Sequence, residues 1–236
     1  MSPDPSNQPT DAAAQPVGEG DYVVGDAECL NSIAKNTGYF WQTLWNHPKN
    51  ATLKKTRKDH NILMPGDRVH IPERELKEVG AATDKRHVFH RKGVPSKMRI
   101  RLLDHDSPET YKNKPYTVTI DGAASQGTVD EDGYVDLLIN PGARGGQLAV
   151  GEPGDQELFD FVIAGVDPIE SPRGAQQRLY NLGFFMVGTP ENEWTDEAVE
   201  ALKRFQAAYV LTNDDKLPNG MYDQETQNKL KKVHGC

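Results

Sequence analysis

The stretch that decides the fold of the first third of the chain is YVVGDAECLNSIAKNTGYFWQTLWNHPKN (22–50), which continues after a basic insert as NILMPGDRVHIPE (61–73). The opening letters, Tyr22–Val24, are aromatic and β-branched, a composition that favours a short strand. Apolar residues then recur at the 3.6-residue period of a helix, at Leu30, Ile33 and Ala34. Gly38 is expected to end this first helix.

A second helix and a second strand are predicted in the rest of this stretch. Phe40 and Leu44 lie four residues apart, as do Trp41 and Trp45, and Pro48 is expected to end the helix. The turn Pro65-Gly66-Asp67 precedes residues 68–71, which alternate between polar and apolar. The order strand, helix, helix, strand predicts two paired strands backed by two helices.

The beginning and the end of this stretch resemble those of the LysM domain, a small βααβ module that binds glycans containing N-acetylglucosamine. The family opening, Tyr-x-Val-x-x-Gly-Asp-Thr-Leu-x-x-Ile-Ala, is matched at Tyr22, Val24, Leu30, Ile33 and Ala34. The family close, Leu-x-Pro-Gly-x-x-Leu-x-Ile-Pro, is matched at Leu63, Pro65, Gly66, Val69, Ile71 and Pro72. The resemblance implies a glycan groove between two loops, whose residues here are Ala27, Glu28, Cys29 and Leu30 on one wall and Asn61, Ile62, Leu63 and Met64 on the other.

The chain departs from the LysM pattern at two places within that groove. The family Gly-Asp-Thr is replaced by Ala27, Glu28 and Cys29, and the methyl group of Ala27 is expected to crowd an approach that glycine permits. The second wall is preceded by an insert of roughly a dozen residues, KNATLKKTRKDH (49–60). We expect the insert to present a solvated helix face, or to meet carboxylates of wall peptides or of an acidic partner protein.

Length and composition favour several small units rather than one large core. The chain has 236 residues, 36% hydrophobic content and a net charge of -8, and this charge argues against general nucleic-acid binding. It has no run of 18 apolar residues, and its first residues lack the basic start and apolar core of a signal peptide, so we expect synthesis in the cytoplasm and no membrane span. The two cysteines, Cys29 and Cys236, are not expected to pair.

After the first unit, the spacing of apolar residues changes from the period of a helix to that of a strand and then back again. Residues 1–20 are predicted to be a flexible tail and 74–85 a linker. Residues 86–167 are predicted to form a small antiparallel β-sandwich, because seven strand-like runs alternate with turn signals; the runs are 87–90, 97–103, 116–120, 127–129, 134–139, 147–150 and 158–163. The segment from Lys114 to Ile139 resembles β-sandwiches of the prealbumin or carboxypeptidase-regulatory type.

Residues 172–236 return to the helical period, and three short helices are predicted. Thr195 and Asp223 are placed as N-terminal caps of the second and third helix. The segment resembles the three-helix peptidoglycan-binding domain found beside many cell-wall hydrolases. The residues that match it are Gln177, Leu179, Leu182, Gly183, Ala201, Leu202, Phe205, Gln206, Gly220, Asp223, Thr226 and Leu230. The fold class expected for the whole chain is therefore multi-domain α+β.

Each candidate catalytic or metal-binding residue is explained more simply by a structural role or by its position in a turn or strand. Cys29 sits at a helix N-terminus, which favours a thiolate, but no partnered base is visible and a structural role is preferred. The acidic runs around Asp104 and Asp130 lie in turns, where aspartate bonds its own backbone. His87 and His90 point to opposite faces of a strand, and no zinc-ligand spacing is present. We therefore expect no catalysis, metal or cofactor. At least one of Trp41 and Trp45 is expected in the core rather than stacked on a sugar.

Two modules with wall-binding resemblance flank a sandwich, so the expected function is non-catalytic binding of peptidoglycan or a chitin-like glycan, with avidity from two weak sites. The alternative is a structural or cargo-linking component, because the combination of modules resembles accessory proteins of contractile injection systems such as type VI secretion. Such a system would deliver the chain to the periplasm or the exterior without a signal peptide, and its proteins or an effector would be the partners.

Overall fold

The computed structural model describes residues 15–74, 80–88, 96–104, 107, 109–163, 165–185, 187–209 and 217–235. Within these ranges the chain is mixed α+β, with six α-helices and three small antiparallel sheets. The predicted α+β class is confirmed at this level. None of the helices in the described ranges is long and apolar enough to cross a membrane.

In the first unit, the beginning and the end of the stretch 22–73 pair with each other. Strand β1 (Tyr22–Val23) pairs antiparallel with β2 (Arg68–Val69), with Tyr22 opposite Val69. Between them lie α1 (Leu30–Thr37), α2 (Trp41–Trp45), a 3-10 turn (Pro48–Asn50) and α3 (Ala51–Arg57), which is formed by the basic insert. Their buried apolar side chains form one cluster: Val24, Leu30, Ile33, Ala34, Leu44, Trp45, Leu53, Leu63 and Val69.

The basic insert is anchored to this unit by a buried ion pair. Arg57 and Asp67 have fully buried side chains, and Arg57 Nη2 lies 2.7 Å from Asp67 Oδ1. Val17 N–H donates to the same carboxylate at 2.8 Å, and Arg68 N–H donates to Val17 O at 2.8 Å. Residues 15–20 therefore lie along β2, although the sequence placed them in the flexible tail predicted over 1–20. Residues 1–14 lie outside the described ranges.

The second unit contains two antiparallel sheets over one core. Strand β3 (Ser96–Arg101) pairs with β6 (Tyr134–Ile139). Strands β4 (Pro115–Ile120), β5 (Ala123–Thr128), β7 (Gly145–Val150) and β8 (Glu157–Val162) form the other sheet in the order β5-β4-β7-β8. Both sheets contribute alternate side chains to one cluster, including Val118, Val135, Leu137 and Leu148. In the predicted strand 87–90, residues 87–88 have no strand pairing and 89–90 lie outside the described residues.

The third unit packs three helices: α4 (Pro172–Asn181), α5 (Asp196–Tyr209) and α6 (Gln224–His234). The predicted caps are present. Thr195 Oγ1 accepts from Ala198 N–H at 3.3 Å, and Asp223 Oδ1 accepts from Thr226 N–H at 2.8 Å. Apolar residues at the helical period form its core: Ile169, Ala175, Leu179, Leu182, Phe185, Ala198, Ala201, Leu202, Phe205, Tyr222 and Leu230.

Two fully buried glutamines hold the loops of this unit. Gln176 exchanges hydrogen bonds with the backbone of Glu191 and also donates to Glu193 O. Gln206 accepts from Gly220 N–H at 2.9 Å and donates to Met221 O at 2.9 Å. The glutamine that matches the peptidoglycan-binding pattern is Gln177. Its side chain is half-buried and forms hydrogen bonds with the segment that precedes α4.

Candidate glycan-binding site

The structure brings together the two segments that the resemblance assigns to the groove. Leu30 N–H donates to His60 O at 3.0 Å, and Asn31 Nδ2 donates to Asn61 Oδ1 at 2.8 Å. The first bond uses one of the unpaired N–H groups at the start of α1. The start of α1 and the loop after α3 are therefore adjacent, although thirty residues of sequence separate Asn31 from Asn61.

The eight predicted groove residues divide by burial. Four of them have exposed fractions of 9% or less and contribute to the interior: Cys29, Leu30, Leu63 and Met64. Asn61 is exposed, and Ala27, Glu28 and Ile62 are half-buried. An acetyl methyl group needs an apolar pocket, and the resemblance predicts one from Leu30, Ile62 and Met64, but the side chains of Leu30 and Met64 are packed inside the unit. Of the four larger apolar side chains among the eight residues, that of Ile62 is half-buried and the other three are buried.

The second wall contains an aromatic stack that the sequence did not reveal. The rings of Trp41 and His60 are parallel within 9° with centroids 3.7 Å apart. Trp45 is 7% exposed and belongs to the core, which confirms the prediction that at least one of the two tryptophans is a core residue. Burial lowers the pKa of His60, and the nearby Asp59 carboxylate opposes this effect. His60 is therefore favoured as a neutral ring, which covers one face of the Trp41 indole.

The first wall is fixed by a small network of its own. Both carboxylate oxygens of Glu28 accept from Tyr22 Oη, at 2.8 and 3.0 Å, and one also accepts from Gly25 N–H at 2.9 Å. Burial, together with Glu28, raises the pKa of Tyr22 to about 12. Ala27 has φ 55°, in the left-handed region, where the family glycine would be unstrained.

The same first wall contacts the other two units. Arg144, in the loop between β6 and β7, donates to Ala27 O. Gly165 lies so close to Ala27 that a Cβ built on it would be 3.1 Å from the Ala27 Cβ. Asp26 Oδ1 is 3.7 Å from Arg173 Nη1 on α4. One edge of the predicted groove is therefore covered by residues of this chain.

Other candidate residues are placed in structural roles. The Cys29 side chain is buried and its backbone N–H donates to Ser32 Oγ at 3.1 Å, as part of the first turn of α1. Asp104 accepts from Ser107 N–H at 3.1 Å, and Asp130 accepts from Asp132 N–H at 2.9 Å, so both carboxylates bond their own turns. No three His, Cys, Asp or Glu side chains among the described residues are grouped as metal ligands. Residues His90, His105, Asp106 and Cys236 lie outside those ranges.

The basic insert presents its charges on the solvent side of α3. Lys49, Lys54, Lys55 and Lys58 are exposed, and Lys54 Nζ donates to Asn46 Oδ1 at 2.7 Å. Arg57 is the exception, since it is buried with Asp67. Lys58 precedes the wall residue Asn61 by three positions, with the Asp59 carboxylate between them.

The chain was compared with protein-family models, with curated proteins and with solved structures, and none of these comparisons found a match.

Proposed function

We propose that this chain is a non-catalytic binding protein for glycans that contain N-acetylglucosamine, with peptidoglycan as the ligand of first choice. The observation that carries the proposal is the meeting of α1 with the loop after α3, where Asn31 and Asn61 lie 2.8 Å apart at the surface. Side-chain amides can donate to and accept from the acetamido group of such a sugar. Half-buried Ile62 and the Trp41–His60 stack provide apolar surface beside them.

A binding role without chemistry fits the placement of the reactive groups. A nucleophile must reach its substrate, whereas the Cys29 side chain is 9% exposed and packed at the start of α1. The carboxylates of Asp104 and Asp130 already accept hydrogen bonds from their own turns. We therefore propose that the chain releases no fragments from the wall.

The third unit is proposed as a second wall-binding module, on the basis of its resemblance to peptidoglycan-binding domains. A polymeric ligand can engage two modules of one chain at once, so weak sites gain strength through their linkage. The proposal predicts that the full chain binds insoluble wall much more strongly than a short soluble oligomer. The soluble oligomer tests the first unit alone.

One observation favours a second candidate, a structural or cargo-linking component of a contractile injection system. The wall that includes Ala27 contacts Arg144 and Gly165 of this same chain, as a protein-binding surface does. Under this alternative the folds serve protein contacts, and the injection system carries the chain out of the cytoplasm. Binding to purified wall separates the two candidates.

The test is co-sedimentation of the full chain with purified peptidoglycan sacculi. Asn61→Ala combined with Ile62→Ser should weaken the binding, because Asn61 is exposed and Ile62 half-buried beside the groove, and neither belongs to the buried core cluster. Asn36→Ala is the matched control, since Asn36 is an exposed amide near the other end of α1. Equal sedimentation of the groove variant and the control would show that the groove is not the site. Absence of any sedimentation would leave the structural candidate.

A further inference from the structure

The β1–α1 loop, residues 24–29, serves two surfaces of the molecule. Its Ala27 and Glu28 belong to the predicted glycan wall, and its Asp26 and Ala27 contact the second and third units. Three sets of contacts converge on it, from the loop between β6 and β7, from Gly165 and from α4. A ligand that uses the first wall must therefore meet these groups.

The contact from the second unit is made by Arg144. Its Nη1 donates to Ala27 O, a carbonyl that is turned outward because Ala27 adopts the left-handed conformation. The guanidinium also lies close enough to the Tyr22–Glu28 pair to act electrostatically on Tyr22. In the same loop, a Cβ built on Gly142 would lie 2.8 Å from Lys35 Nζ, so the turn before Arg144 also approaches α1.

Gly165 makes the closest approach to the wall. It has φ 88°, and a Cβ built on it would be 3.1 Å from the Ala27 Cβ and 3.2 Å from the Ala27 Cα. Gln177 of α4 holds this segment in place, because its Nε2 donates to Gly165 O at 2.6 Å and its Oε1 accepts from Asp167 N–H at 2.7 Å. The approach is thus built by the third unit and not by a free loop.

An ion-pair chain adds to the contact from the third unit. Arg173 Nη1 lies 3.7 Å from Asp26 and 3.5 Å from Asp167, whose side chain is 3% exposed. The Asp26 side chain is 82% exposed, so its pair with Arg173 is of the weak, solvent-screened kind. Among the described residues, the contacts made to the β1–α1 loop include one hydrogen bond, one close packing contact and one weak ion pair, a set that a ligand of moderate affinity can displace.

From these contacts we propose that the first wall is a docking surface for the other two units, and that docking and glycan binding at Ala27 exclude one another. This inference rests on the proposed function and adds a means of regulating glycan affinity, because the docked chain is the low-affinity form. Ligand binding shifts the chain toward an undocked arrangement, and release of the contact raises the affinity. A docked state favoured ten to one would lower the apparent affinity about tenfold.

The opening variant is Arg144→Glu, which removes the hydrogen bond to Ala27 O and places a like charge beside Glu28. Lys97→Glu is the matched control, because it makes the same charge change at an exposed position on β3 of the same unit. Small-angle scattering of the full chain reports docking through the radius of gyration. Titration with the soluble N-acetylglucosamine hexamer reports affinity.

A second opening variant, Asp26→Lys, acts from the first unit. It replaces the carboxylate that lies 3.7 Å from Arg173 Nη1 with a cation, so the ion pair becomes a repulsion. Asp26 is not one of the eight predicted groove residues. Asp21→Lys is its matched control, because it makes the same charge change at an exposed position of the same unit.

For a docked state favoured ten to one, the expected result is a larger radius and an affinity raised by about tenfold for Arg144→Glu, with a change in the same direction for Asp26→Lys. Equal affinities of wild type and both opening variants would overturn the exclusion and leave the proposed function standing, whether or not the radius changes. No binding by any form, the opened ones included, would overturn both.

Discussion

Removal of the Asp67 carboxylate should destabilise the first unit more than any exposed substitution in it. This carboxylate accepts from Arg57 Nε and Nη2, each at 2.7 Å, from Met64 N–H at 2.9 Å and from Val17 N–H at 2.8 Å. It therefore joins α3, the turn before β2 and the segment before β1. In Asp67→Ala the buried Arg57 cation loses its carboxylate partner and keeps its hydrogen bond to Gln15 O, and two backbone N–H groups lose their acceptor.

The magnitude follows from the burial of both partners. Loss of one member of a fully buried pair costs about 3–5 kcal/mol, because the remaining charge is left without compensation. A unit of this size has a free energy of unfolding of about 3–9 kcal/mol, at roughly 0.05–0.15 kcal/mol per residue. Asp67→Ala is therefore expected to unfold the first unit partly or completely near room temperature, while the cores of the other two units remain.

Urea unfolding followed by tryptophan fluorescence measures this effect. Two of the three tryptophans, Trp41 and Trp45, lie in the first unit, so Trp194→Phe as background makes the signal specific to it. Asp21→Ala is the matched control, because Asp21 is exposed in the same unit. A loss for Asp67→Ala that is no larger than the loss for Asp21→Ala would refute the reasoning.

Three further predictions concern single side chains. Gln206→Leu should lower the stability of the third unit by about 2–4 kcal/mol in urea unfolding, because Gly220 N–H and Met221 O lose a buried partner. Burial lowers the pKa of His234 to about 4, whereas the pKa of an unfolded histidine is about 6.5. The stability of the third unit is therefore fully present above pH 6.5 and is lost as pH falls toward 4, because the unfolded state then binds the proton more readily. Unfolding of His234→Gln should lack this dependence on pH. Ala27→Gly should stabilise the first unit by up to about 1 kcal/mol, because φ 55° strains alanine, whereas Ala51→Gly at the start of α3 should not.

Periodic segments could be predicted from the sequence because a local pattern determines them. The apolar spacing from Leu30 predicts α1, and the alternation at 134–139 predicts β6 with its observed bounds. The caps at Thr195 and Asp223 were also visible, since a cap depends only on residues within one turn. These elements need no knowledge of distant contacts.

Pairing of distant side chains could not be predicted from such patterns. Arg57 belongs to a run of lysines and arginines, and nothing in the run shows that this one cation faces Asp67 in the core. The buried glutamine of α4 is Gln176, whereas the resemblance cited Gln177. One residue along a helix turns a side chain by about 100°, which separates a buried group from a partly exposed one.

The adjacency of the two segments at the candidate site was predictable from the resemblance, whereas the burial of their side chains was not; glycan binding there stays a prediction. The family resemblance placed Ala27–Leu30 opposite Asn61–Met64, and the hydrogen bond between Asn31 and Asn61 brings these segments together. Burial of Leu30 and Met64 follows from packing that the resemblance does not specify. Arg144 and Ala27 are 117 positions apart and lie in different units, so no local sequence pattern could predict their contact.

Chemical-shift mapping of the full chain tests the central claim, glycan binding at the groove, most directly. The N-acetylglucosamine hexamer is added to millimolar concentration, and the amide signals of Asn31, Asn61 and Ile62 are followed. The account predicts that these signals shift together, that the core amide of Leu53 does not, and that Asn61→Ala with Ile62→Ser removes the shifts. Groove signals that stay in place in wild type and in Arg144→Glu alike would contradict it.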